Sequence, residues 1–387
     1  MRLVRDALLP FVLLAGCTAA SDAPEAANAA TGQPSAQERP FRVEPVGQFA
    51  EPWAMNFLPN GLLLVAEKRG ALKFIDFMDA GPSQRLGSIS GVPAVDYGGQ
   101  GGFGDVVAHP DFARNNLIYL SYVEAEGDKR GAVVARARLV LDEADAGRLE
   151  DLQIIWRQSP KMDGRGHYGH RIAFSPDGQH LFISSGDRQE FTPAQDMSGN
   201  LGKILRLNPD GTVPADNPFA SRGGVTAQIW SLGQRNPLGI AFAPDGRLWE
   251  VEMGPKGGDE MNLIERGANY GYPIVSNGDH YDGKVIPDHP TRPEFEAPKV
   301  WWTPVISPGD FIVYSGAAFP GWRGDALIAG LSSKALIRVD IDGDKAREAQ
   351  RWDMGQRIRE VEQGNDGAIY LLEDGPGGRL LKLTPKK

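Results

Sequence analysis

One short pattern recurs six times along the chain and constrains its fold more than any other feature. Each copy has a turn built on Asp-Gly, Asn-Gly or a similar pair, followed by a short strand of aliphatic and β-branched residues. Such turns supply the positive φ angles that tight hairpins need. The strands after the turns are predicted at 62–66, 117–122, 181–184, 248–251, 326–329 and 368–372. Their partner strands are predicted at 72–75, 133–136, 204–207, 261–264, 336–339 and 380–383.

The period of this pattern is roughly fifty to sixty residues, which is the size of a propeller blade with about four strands. No convincing long amphipathic helix lies between the strands. The sequence therefore predicts an all-β fold, a six-bladed β-propeller with four-stranded blades. Because a propeller gathers loops from every blade at one end of a central channel, residues far apart in sequence can meet in one site.

The first residues are typical of an export signal rather than of a folded domain. Arg2 and Arg5 precede an apolar stretch at 8–14 that is too short to cross a bilayer as a helix. The stretch ends in Leu-Ala-Gly-Cys at 14–17, which is similar to a bacterial lipobox. We expect 1–16 to be a lipoprotein signal peptide and Cys17 to carry lipid. The alternative is a cysteine that merely lies within a signal peptide.

Residues 17–40 are predicted to form a flexible linker after the lipidated cysteine, because they are rich in Ala, Ser, Pro, Glu and Gln and show no periodicity. The propeller domain is predicted at 41–387. Thr18 stands where an aspartate commonly retains lipoproteins in the inner membrane, so we expect a periplasmic protein anchored to the outer membrane. Cys17 is the only cysteine, so the mature domain has no disulfide and must be stabilised by core burial.

The overall charge argues against one class of partner. The formal net charge is −9, and the chain contains no long basic run. A surface that binds nucleic acid needs clustered Lys and Arg to meet the phosphates. We therefore expect no nucleic-acid partner.

Two familiar motifs are present but incomplete. Residues 99–104 match G-x-G-x-x-G, yet no strand–turn–helix unit surrounds them, as a dinucleotide site would require. A glycine-rich loop that carries Gln100 into the channel is the better interpretation. Residues 340–344 resemble the start of a calcium loop, but Arg351 replaces the glutamate of its twelfth position, which leaves only a turn.

His167 and Asp187 each lie beside a predicted strand end. This arrangement suits a general base and its orienting carboxylate, although two unrelated loop residues would give the same pattern. His170 is the competing base. Because residues at odd spacing on an extended chain point to opposite sides, we expect that His167 and His170 do not both face the channel.

Two further segments have interpretations that the residues alone leave open. Residues 253–260 and 269–273 combine carboxylates with carbonyls beside Gly and Pro, which are oxygen ligands suited to Ca²⁺; a solvated loop is the alternative. Arg357 and Arg359 alternate on a predicted strand and so point the same way. With Lys334 they would form a receptor for a small polyanion; a solvated basic edge is the alternative.

Taken together, these motifs resemble those of the soluble glucose dehydrogenases and aldose sugar dehydrogenases that depend on pyrroloquinoline quinone (PQQ). The resemblance runs from Trp53 to about Leu383. The motifs that carry it are, in order, Gly98-Gly99-Gln100-Gly101-Gly102, His167-x-Gly169-x-Arg171, Arg235-Asn236-Pro237, Gly254-Pro255 with Gly258-Asp259-Glu260, Asn269-Tyr270-Gly271, Trp302-x-Pro304 with Ser307-Pro308-Gly309, and Gln356-Arg357-Ile358-Arg359.

The resemblance implies PQQ over the channel mouth and two calcium ions. It implies a catalytic set of His167, Asp187 and Arg235, in which His167 is the general base and Asp187 supports it. The residues that it implies around the quinone are Gln100, Arg235, Asn236, Tyr281, Pro308, Gly309, Lys334, Arg357 and Arg359. The carbonyls of Gly254 and Pro255 would hold the catalytic calcium, whereas Glu260 and Tyr270 would hold a structural one.

By the same resemblance the chain would oxidise the anomeric carbon of aldose sugars to lactones, with hydride passing to the quinone and a periplasmic electron acceptor as partner. Its short loops favour broad sugar specificity. His170, Tyr272 and 307–310 depart from the family's usual residues, which affects the substrate pocket more than the cofactor site. The rival hypothesis is a non-redox calcium-binding propeller, either a lactonase-like hydrolase or a carbohydrate-binding scaffold, because a fold alone does not settle function.

Overall fold

The computed structural model describes residues 38–77, 85–142 and 146–386. The predicted signal peptide, Cys17 and most of the predicted linker lie outside these residues. In the part of the chain that is described, no helix is long and apolar enough to cross a membrane.

The described residues form twenty-four strands, one short α-helix and five 3₁₀ turns. The first strands are β1 (Phe41–Gln48), β2 (Pro52–Phe57), β3 (Leu63–Glu67), β4 (Ala71–Asp76), β5 (Arg85–Ser90), β6 (Phe103–Ala108), β7 (Leu117–Glu126), β8 (Lys129–Leu141), β9 (Ala146–Arg157), β10 (Gly169–Phe174), β11 (Leu181–Ser185) and β12 (Lys203–Leu207). The remaining strands are β13 (Ile229–Leu232), β14 (Pro237–Phe242), β15 (Leu248–Glu252), β16 (Asp259–Leu263), β17 (Val300–Trp302), β18 (Pro308–Val313), β19 (Ala326–Gly330), β20 (Ala335–Asp342), β21 (Lys345–Asp353), β22 (Ile358–Gln363), β23 (Ile369–Glu373) and β24 (Arg379–Pro385). The helices are α1 (Phe112–Asn115) and the 3₁₀ turns Thr192–Ala194, Ala220–Arg222, Val225–Gln228, His289–Thr291 and Pro320–Trp322.

Within the described ranges the strands form four four-stranded sheets and one eight-stranded sheet. The four-stranded sheets have the orders β10-β11-β12-β13, β14-β15-β16-β17, β18-β19-β20-β21 and β22-β23-β24-β1. In the last of them the first strand pairs with the final one, so the two ends of the domain are joined in one sheet. The eight-stranded sheet consists of β2 to β5 and β6 to β9, which are linked by a parallel pairing of β5 with β9.

The strands β2, β6, β10, β14, β18 and β22 form a closed ring, because each contacts the next and β22 contacts β2. Residues from all of these strands line a cavity of about 210 Å³ on the ring axis. This arrangement is a propeller around a central channel, and the prediction of an all-β propeller is confirmed.

The predicted strands are the second and third strands of the sheets. The pattern at 62–66, for example, corresponds to β3, and its predicted partner at 72–75 corresponds to β4, with Leu63 opposite Ile75 in an antiparallel register. These strands are buried on both faces, and they therefore show the continuous aliphatic runs that made them predictable.

The core lies between neighbouring sheets rather than inside one of them. Met55 and Leu63 pack with Tyr370 and Leu380 from the sheet on the other side of the ring closure. A second cluster stacks aromatic rings, with the ring centres of Phe319 and Trp322 lying 4.3 Å apart. Burying such side chains supplies the main stabilisation of a domain without disulfides.

The register of the innermost hairpins decides where a site can form. Each inner strand begins beside the end of the second strand of its sheet, as in the pairs Gly169 with Ser185 and Ile358 with Glu373. Residues just before an inner strand and just after a second strand therefore meet at the same end of the channel. We call this end the site face.

Candidate functional site

A buried histidine–aspartate pair lies on the site face. His167 precedes β10 and Asp187 follows β11, and the Nδ1 atom of His167 lies 2.7 Å from Oδ1 of Asp187. The two residues are only 5% and 0% exposed. A carboxylate that accepts the Nδ1 proton leaves the Nε2 lone pair of the imidazole free to accept another proton. The predicted base and its predicted orienting carboxylate are therefore in contact.

The backbone around this pair is held from three sides. Gln100 accepts a hydrogen bond from the amide of His167 through Oε1 at 2.8 Å. The amide of Asp187 donates to the carbonyl of Arg235 at 2.8 Å. Gly186 packs so closely that a Cβ atom there would lie 2.1 Å from the carbonyl oxygen of His167. Loops from three different sheets therefore hold His167 and Asp187 in place.

Burial decides the protonation state of His167. It lowers the pKa of this imidazole below its usual value, an effect that the hydrogen bond to Asp187 opposes and the charge of Arg235 reinforces. A neutral imidazole at neutral pH is the form that can accept a proton.

The expectation that His167 and His170 point to opposite sides assumed an extended chain. The segment is not extended, because His167 and His170 have φ angles of 49° and 57° and the pairing of β10 is irregular after Gly169. His170 lines a cavity at the site face, and its Nδ1 lies 2.9 Å from the hydroxyl of Ser121. Burial lowers the pKa of His170 to about 3. His170 is therefore a neutral wall residue of this cavity, a position that the alternation argument could not give because it assumed an extended chain.

A cavity of about 280 Å³ opens at the site face beside this wall. Its charged lining consists of Lys68, Arg357 and Arg359 together with the carboxylates of Glu51 and Asp374. Both arginines donate through Nε to Asp374, at 2.7 and 2.9 Å, so they do point the same way, as predicted. Gln100 also lines this cavity.

The apolar side of this cavity contains Trp53, Leu238, Met253 and Leu331. The guanidinium carbon of Arg359 lies 3.8 Å from the centre of the Trp53 ring, and the ammonium of Lys68 lies 4.8 Å from the same ring. Cations over an indole are attracted by its π electrons. The cavity therefore offers flat apolar contact and positive charge together.

Three residues that line this cavity, Lys68, Trp53 and Asp374, were not predicted as site residues from the sequence. Burial lowers the pKa of Lys68, whereas Glu51, whose Oε1 lies 3.6 Å from the Lys68 ammonium, acts to raise it. A usable signal was present: Lys68 and Asp374 directly follow second strands, as Met253 and Leu331 do in their own sheets.

Arg235 lines a second, larger cavity of about 520 Å³. It donates to the carbonyl oxygens of Met253 and Gly254 at 2.9 and 2.6 Å, and its Nε lies 3.3 Å from the hydroxyl of Tyr272. Tyr281 lines the larger cavity and is 74% exposed. The structure thus places Tyr281 near Arg235 but not on the wall formed by Arg357 and Arg359.

The remaining predicted cofactor residues lie on the site face in different settings. Pro308 and Gly309 begin β18 and are buried, and a Cβ atom on Gly309 would lie 2.4 Å from the carbonyl oxygen of Arg359. Lys334 lies in the turn after β19 with its side chain exposed. Asn236 is fully buried, and neither polar atom of its side chain has a hydrogen-bond partner among the described residues.

Left-handed backbone concentrates around this site. Nine non-glycine residues of the described chain have positive φ, and seven of them lie on the site face, namely His167, His170, Arg188, Gln189, Phe191, Ser307 and Lys334. Such conformations are costly and persist where the surrounding structure imposes them, often at functional sites.

The four residues predicted to bind calcium line one narrow cavity of about 10 Å³, together with Glu252. The hydroxyl of Tyr270 is already bonded to the carbonyl of Leu263 and the amide of Glu265, so only its backbone carbonyl is free to act as a ligand. The carbonyl of Gly254 accepts from Arg235 and keeps a second lone pair.

Buried oxygen atoms without partners lie on the two strands that carry Glu252 and Glu260. Glu252 lies opposite Glu260 and Glu250 lies opposite Asn262 on the paired strands β15 and β16. In the described residues, Oε1 of Glu250 and Oδ1 of Asn262 are buried and have no hydrogen-bond partner. Burial and the neighbouring carboxylates raise the pKa values of Glu250 and Glu252. Hard oxygen donors of this kind suit Ca²⁺, although no three His, Cys, Asp or Glu side chains of the described chain are arranged as a finished metal cage.

The fold and the site define a class: a propeller enzyme with a buried His–Asp pair and a cation-lined cavity at one end of its channel. The family model described as "Glucose / Sorbosone dehydrogenase" matches residues 49–382. The chain therefore belongs to the glucose/sorbosone dehydrogenase family, and it is a sugar oxidoreductase.

Known relatives agree with this assignment. The chain is 39% identical over 344 residues to the aldose sugar dehydrogenase YliI of Escherichia coli, covering 87% of this chain and 90% of the relative. The crystal structure of the soluble aldose sugar dehydrogenase of Escherichia coli in its apo form is similar with a TM-score of 0.82 and 38% identity, over 89% of this chain and 100% of that one. The PQQ-bound form of an aldose sugar dehydrogenase from Streptomyces coelicolor is similar with a TM-score of 0.71 and 26% identity, over 92% of this chain and 100% of that one.

Proposed function

We propose that this chain is a PQQ-dependent aldose sugar dehydrogenase that oxidises the anomeric carbon of a broad range of sugars to lactones. The observation that carries the proposal is the cavity lined by Arg357, Arg359 and apolar side chains, in which Gln100 accepts a hydrogen bond from the amide of His167. We also interpret the eight-stranded sheet as two blades, which gives a six-bladed propeller.

The cavity fits a flat polyanion such as PQQ, an ortho-quinone with three carboxylates. Guanidinium groups bind carboxylates through paired hydrogen bonds, and Trp53 and Leu331 offer apolar contact to a ring system. The unpartnered amide of Asn236 supplies donors and acceptors that a bound ligand would satisfy. When bound, the quinone would supply the two-electron acceptor for hydride from the sugar, with calcium as a Lewis acid.

His167 would act as the general base. A hydroxyl group releases hydride from its carbon more easily once it loses its proton, so a base near the anomeric hydroxyl is required. The Nε2 atom of His167 would take this proton while Asp187 holds the ring in place and stabilises its charged form. The lowered pKa of His167 keeps this base neutral at pH 7.

Arg235 would order the reacting end of the site. Its guanidinium is fixed by two carbonyls and by Tyr272, so it can place positive charge next to the base without moving. Its backbone amide and that of Asn236 both donate to Oε2 of Glu252. Arg235 and Asn236 would therefore contact the cofactor and the substrate from a rigid turn, which favours catalysis by proximity.

The narrow cavity beside Glu260 would hold calcium through carbonyl and carboxylate oxygens. Gly254, whose carbonyl accepts from Arg235, lines this cavity together with Pro255, Glu260 and Tyr270. The larger cavity next to Arg235 offers aromatic faces and polar groups to a sugar, and its open rim suits broad specificity. The alternative of a non-redox calcium-binding propeller gives no role to the arginine pair.

The test is reconstitution of the purified protein with PQQ and Ca²⁺, followed by dye reduction with glucose and product analysis. We expect reduction that needs the sugar, the quinone and calcium together, and we expect a lactone as product. Hydrolysis of an added lactone without any dye reduction would favour the non-redox alternative.

We also propose that Cys17 carries lipid and anchors the protein to the periplasmic side of the outer membrane, from where a periplasmic acceptor would receive the electrons. The lipobox-like sequence at 14–17 supports this proposal. Cys17→Ser should release the protein from the membrane fraction and block processing. Unchanged fractionation and processing would contradict the anchor.

A further inference from the structure

Arg188 is a buried cation that the proposed mechanism does not use. It follows Asp187 directly, is only 2% exposed and has a φ angle of 59°. Among the described residues no carboxylate forms a salt bridge with it, and burial lowers the pKa of its guanidinium. A buried charge without a direct salt bridge is costly, and an apolar side chain would pack there at a lower cost. Its presence therefore calls for a role other than packing.

Most contacts of the Arg188 side chain are with the segment that carries His167. Its guanidinium donates to the carbonyl oxygens of Gly164 and Gly166 at 2.9 and 2.8 Å, and to that of Arg130 at 2.7 Å. It also stacks on the ring of Tyr168, with 3.8 Å between the guanidinium carbon and the ring centre. The segment 164–168 is thus held on both sides of the histidine.

The backbone of the same residue ties both partners of the His–Asp pair together. Its amide donates to the carbonyl of His167 at 3.2 Å. The left-handed turn at Arg188 and Gln189 directs the amide of Gln189 back onto Oδ1 of Asp187 at 2.9 Å. Side chain and backbone of Arg188 therefore constrain the imidazole and the carboxylate at once.

We propose that Arg188 is a positioning residue that fixes the 164–168 segment so that His167 keeps its hydrogen bond to Asp187 and directs Nε2 toward the sugar. The inference rests on the proposed role of His167 as the base. Arg188 itself does not touch the reacting atoms. It acts by keeping the base within the narrow range of geometry that proton transfer requires.

The chain provides a matched control in Lys203. This lysine is also buried, and it donates to the carbonyls of Pro193, Ala194 and Leu201 at 2.7–2.8 Å. It secures the other part of the same loop, but none of its described hydrogen bonds reaches 164–168. Loss of Lys203 should therefore destabilise the loop without displacing His167.

The experiment compares Arg188→Met, Arg188→Lys and Lys203→Met in the enzyme loaded with PQQ and Ca²⁺. We expect both Arg188 variants to lower kcat by about 10²-fold, the typical effect of a misplaced catalytic group, while the KM for glucose and the affinity for PQQ change less than about threefold. Lys203→Met should lower the melting temperature and keep kcat. Equal kcat losses in all three variants, or an Arg188→Met enzyme with normal kcat, would overturn the proposal.

A second readout does not depend on activity. In protein labelled with ¹⁵N-histidine, His167→Gln identifies the resonance of the His167 Nδ1 proton, which the bond to Asp187 protects from exchange. We expect this signal to persist in Lys203→Met and to disappear or broaden in Arg188→Met and Arg188→Lys. If the wild type shows no sugar oxidation, the proposed function fails while this signal still tests the positioning role. Unfolding of both Arg188 variants would assign the residue to general stability and contradict the proposal.

Discussion

Arg359 lies flat over Trp53, with 3.8 Å between its guanidinium carbon and the ring centre, while its nitrogens donate to Asp374. The aromatic ring and the carboxylate hold the guanidinium in one orientation before any ligand arrives. A charged donor fixed in this way loses little entropy on binding an anion.

Arg359→Met should therefore weaken PQQ binding by about tenfold to a hundredfold, the value of one or two hydrogen bonds to a charged group. The measurement is a titration of the purified protein with PQQ in the presence of Ca²⁺. Arg379→Met is the control, since Arg379 is half-exposed and pairs with Glu373 outside the cavity. Equal affinities of Arg359→Met and the wild type would remove the arginine pair from the cofactor site.

His167→Gln should lower kcat by about 10²–10⁴-fold, the usual contribution of a general base, and leave PQQ binding nearly intact. His170→Gln should be milder, because His170 is a neutral wall residue bonded to Ser121. Steady-state kinetics of the two variants decide between them. The reverse ranking would place the base at His170.

Removal of calcium should lower both activity and the melting temperature, because a ligand that binds only the folded state stabilises it by mass action. Glu260→Gln should mainly lower the melting temperature and weaken its response to chelator. Thermal melts with and without chelator measure this effect, and Glu126→Gln, on an exposed strand end, is the control. A melting temperature that is the same with and without chelator would contradict the structural calcium site.

The channel below the site contains Arg171 among Asp105, Asp310, Glu360 and Glu362. One cation therefore faces four acids. Burial raises the pKa of Glu362 well above its usual range, and the charges of Glu360 and Asp105 raise it further. The folded protein therefore retains a proton at Glu362 that the unfolded chain releases above pH 4.5. The stability that this proton contributes is present at low pH and is lost as the pH rises.

Glu362→Gln should consequently leave stability near pH 4.5 almost unchanged and raise it at pH 8 by at least about 1 kcal/mol, which corresponds to roughly one pKa unit. Urea titrations at the two pH values measure the difference. A variant that is equally or less stable than the wild type at pH 8 would show that the carboxylate is ionised there at no cost.

Much of the fold was readable because the second and third strands carry long buried aliphatic runs, as in Leu181–Ser185 and Ile369–Glu373. Of the inner strands only fragments were readable, such as the predicted strand of Arg357 and Arg359, because these strands carry the polar residues of the channel: β10 includes His170 and Arg171, and β22 includes Arg359 and Glu360. Polar residues in these strands interrupt the hydrophobic pattern on which strand prediction depends.

Site residues were predicted from the sequence only where they belong to a recognisable motif. His167, Asp187 and the arginine pair were found through such motifs, and the structure brings each pair together. Trp53, Lys68 and Asp374 lie in no motif, and their meeting depends on the closure of the ring, which joins the first sheets to the last one. The positions of His167 and His170 were also misjudged, because left-handed turns break the alternation of an extended chain.

The most direct test of the proposed activity is single-turnover reduction of the reconstituted protein by glucose under anaerobic conditions, followed through the absorbance of the bound quinone. Glucose with deuterium at C1 serves as the second substrate. If the bond from C1 to hydrogen breaks in the step that His167 assists, deuterium should slow the reduction several-fold in the wild type. Reduction at the same rate with both sugars, or no reduction by glucose at all, would contradict the account.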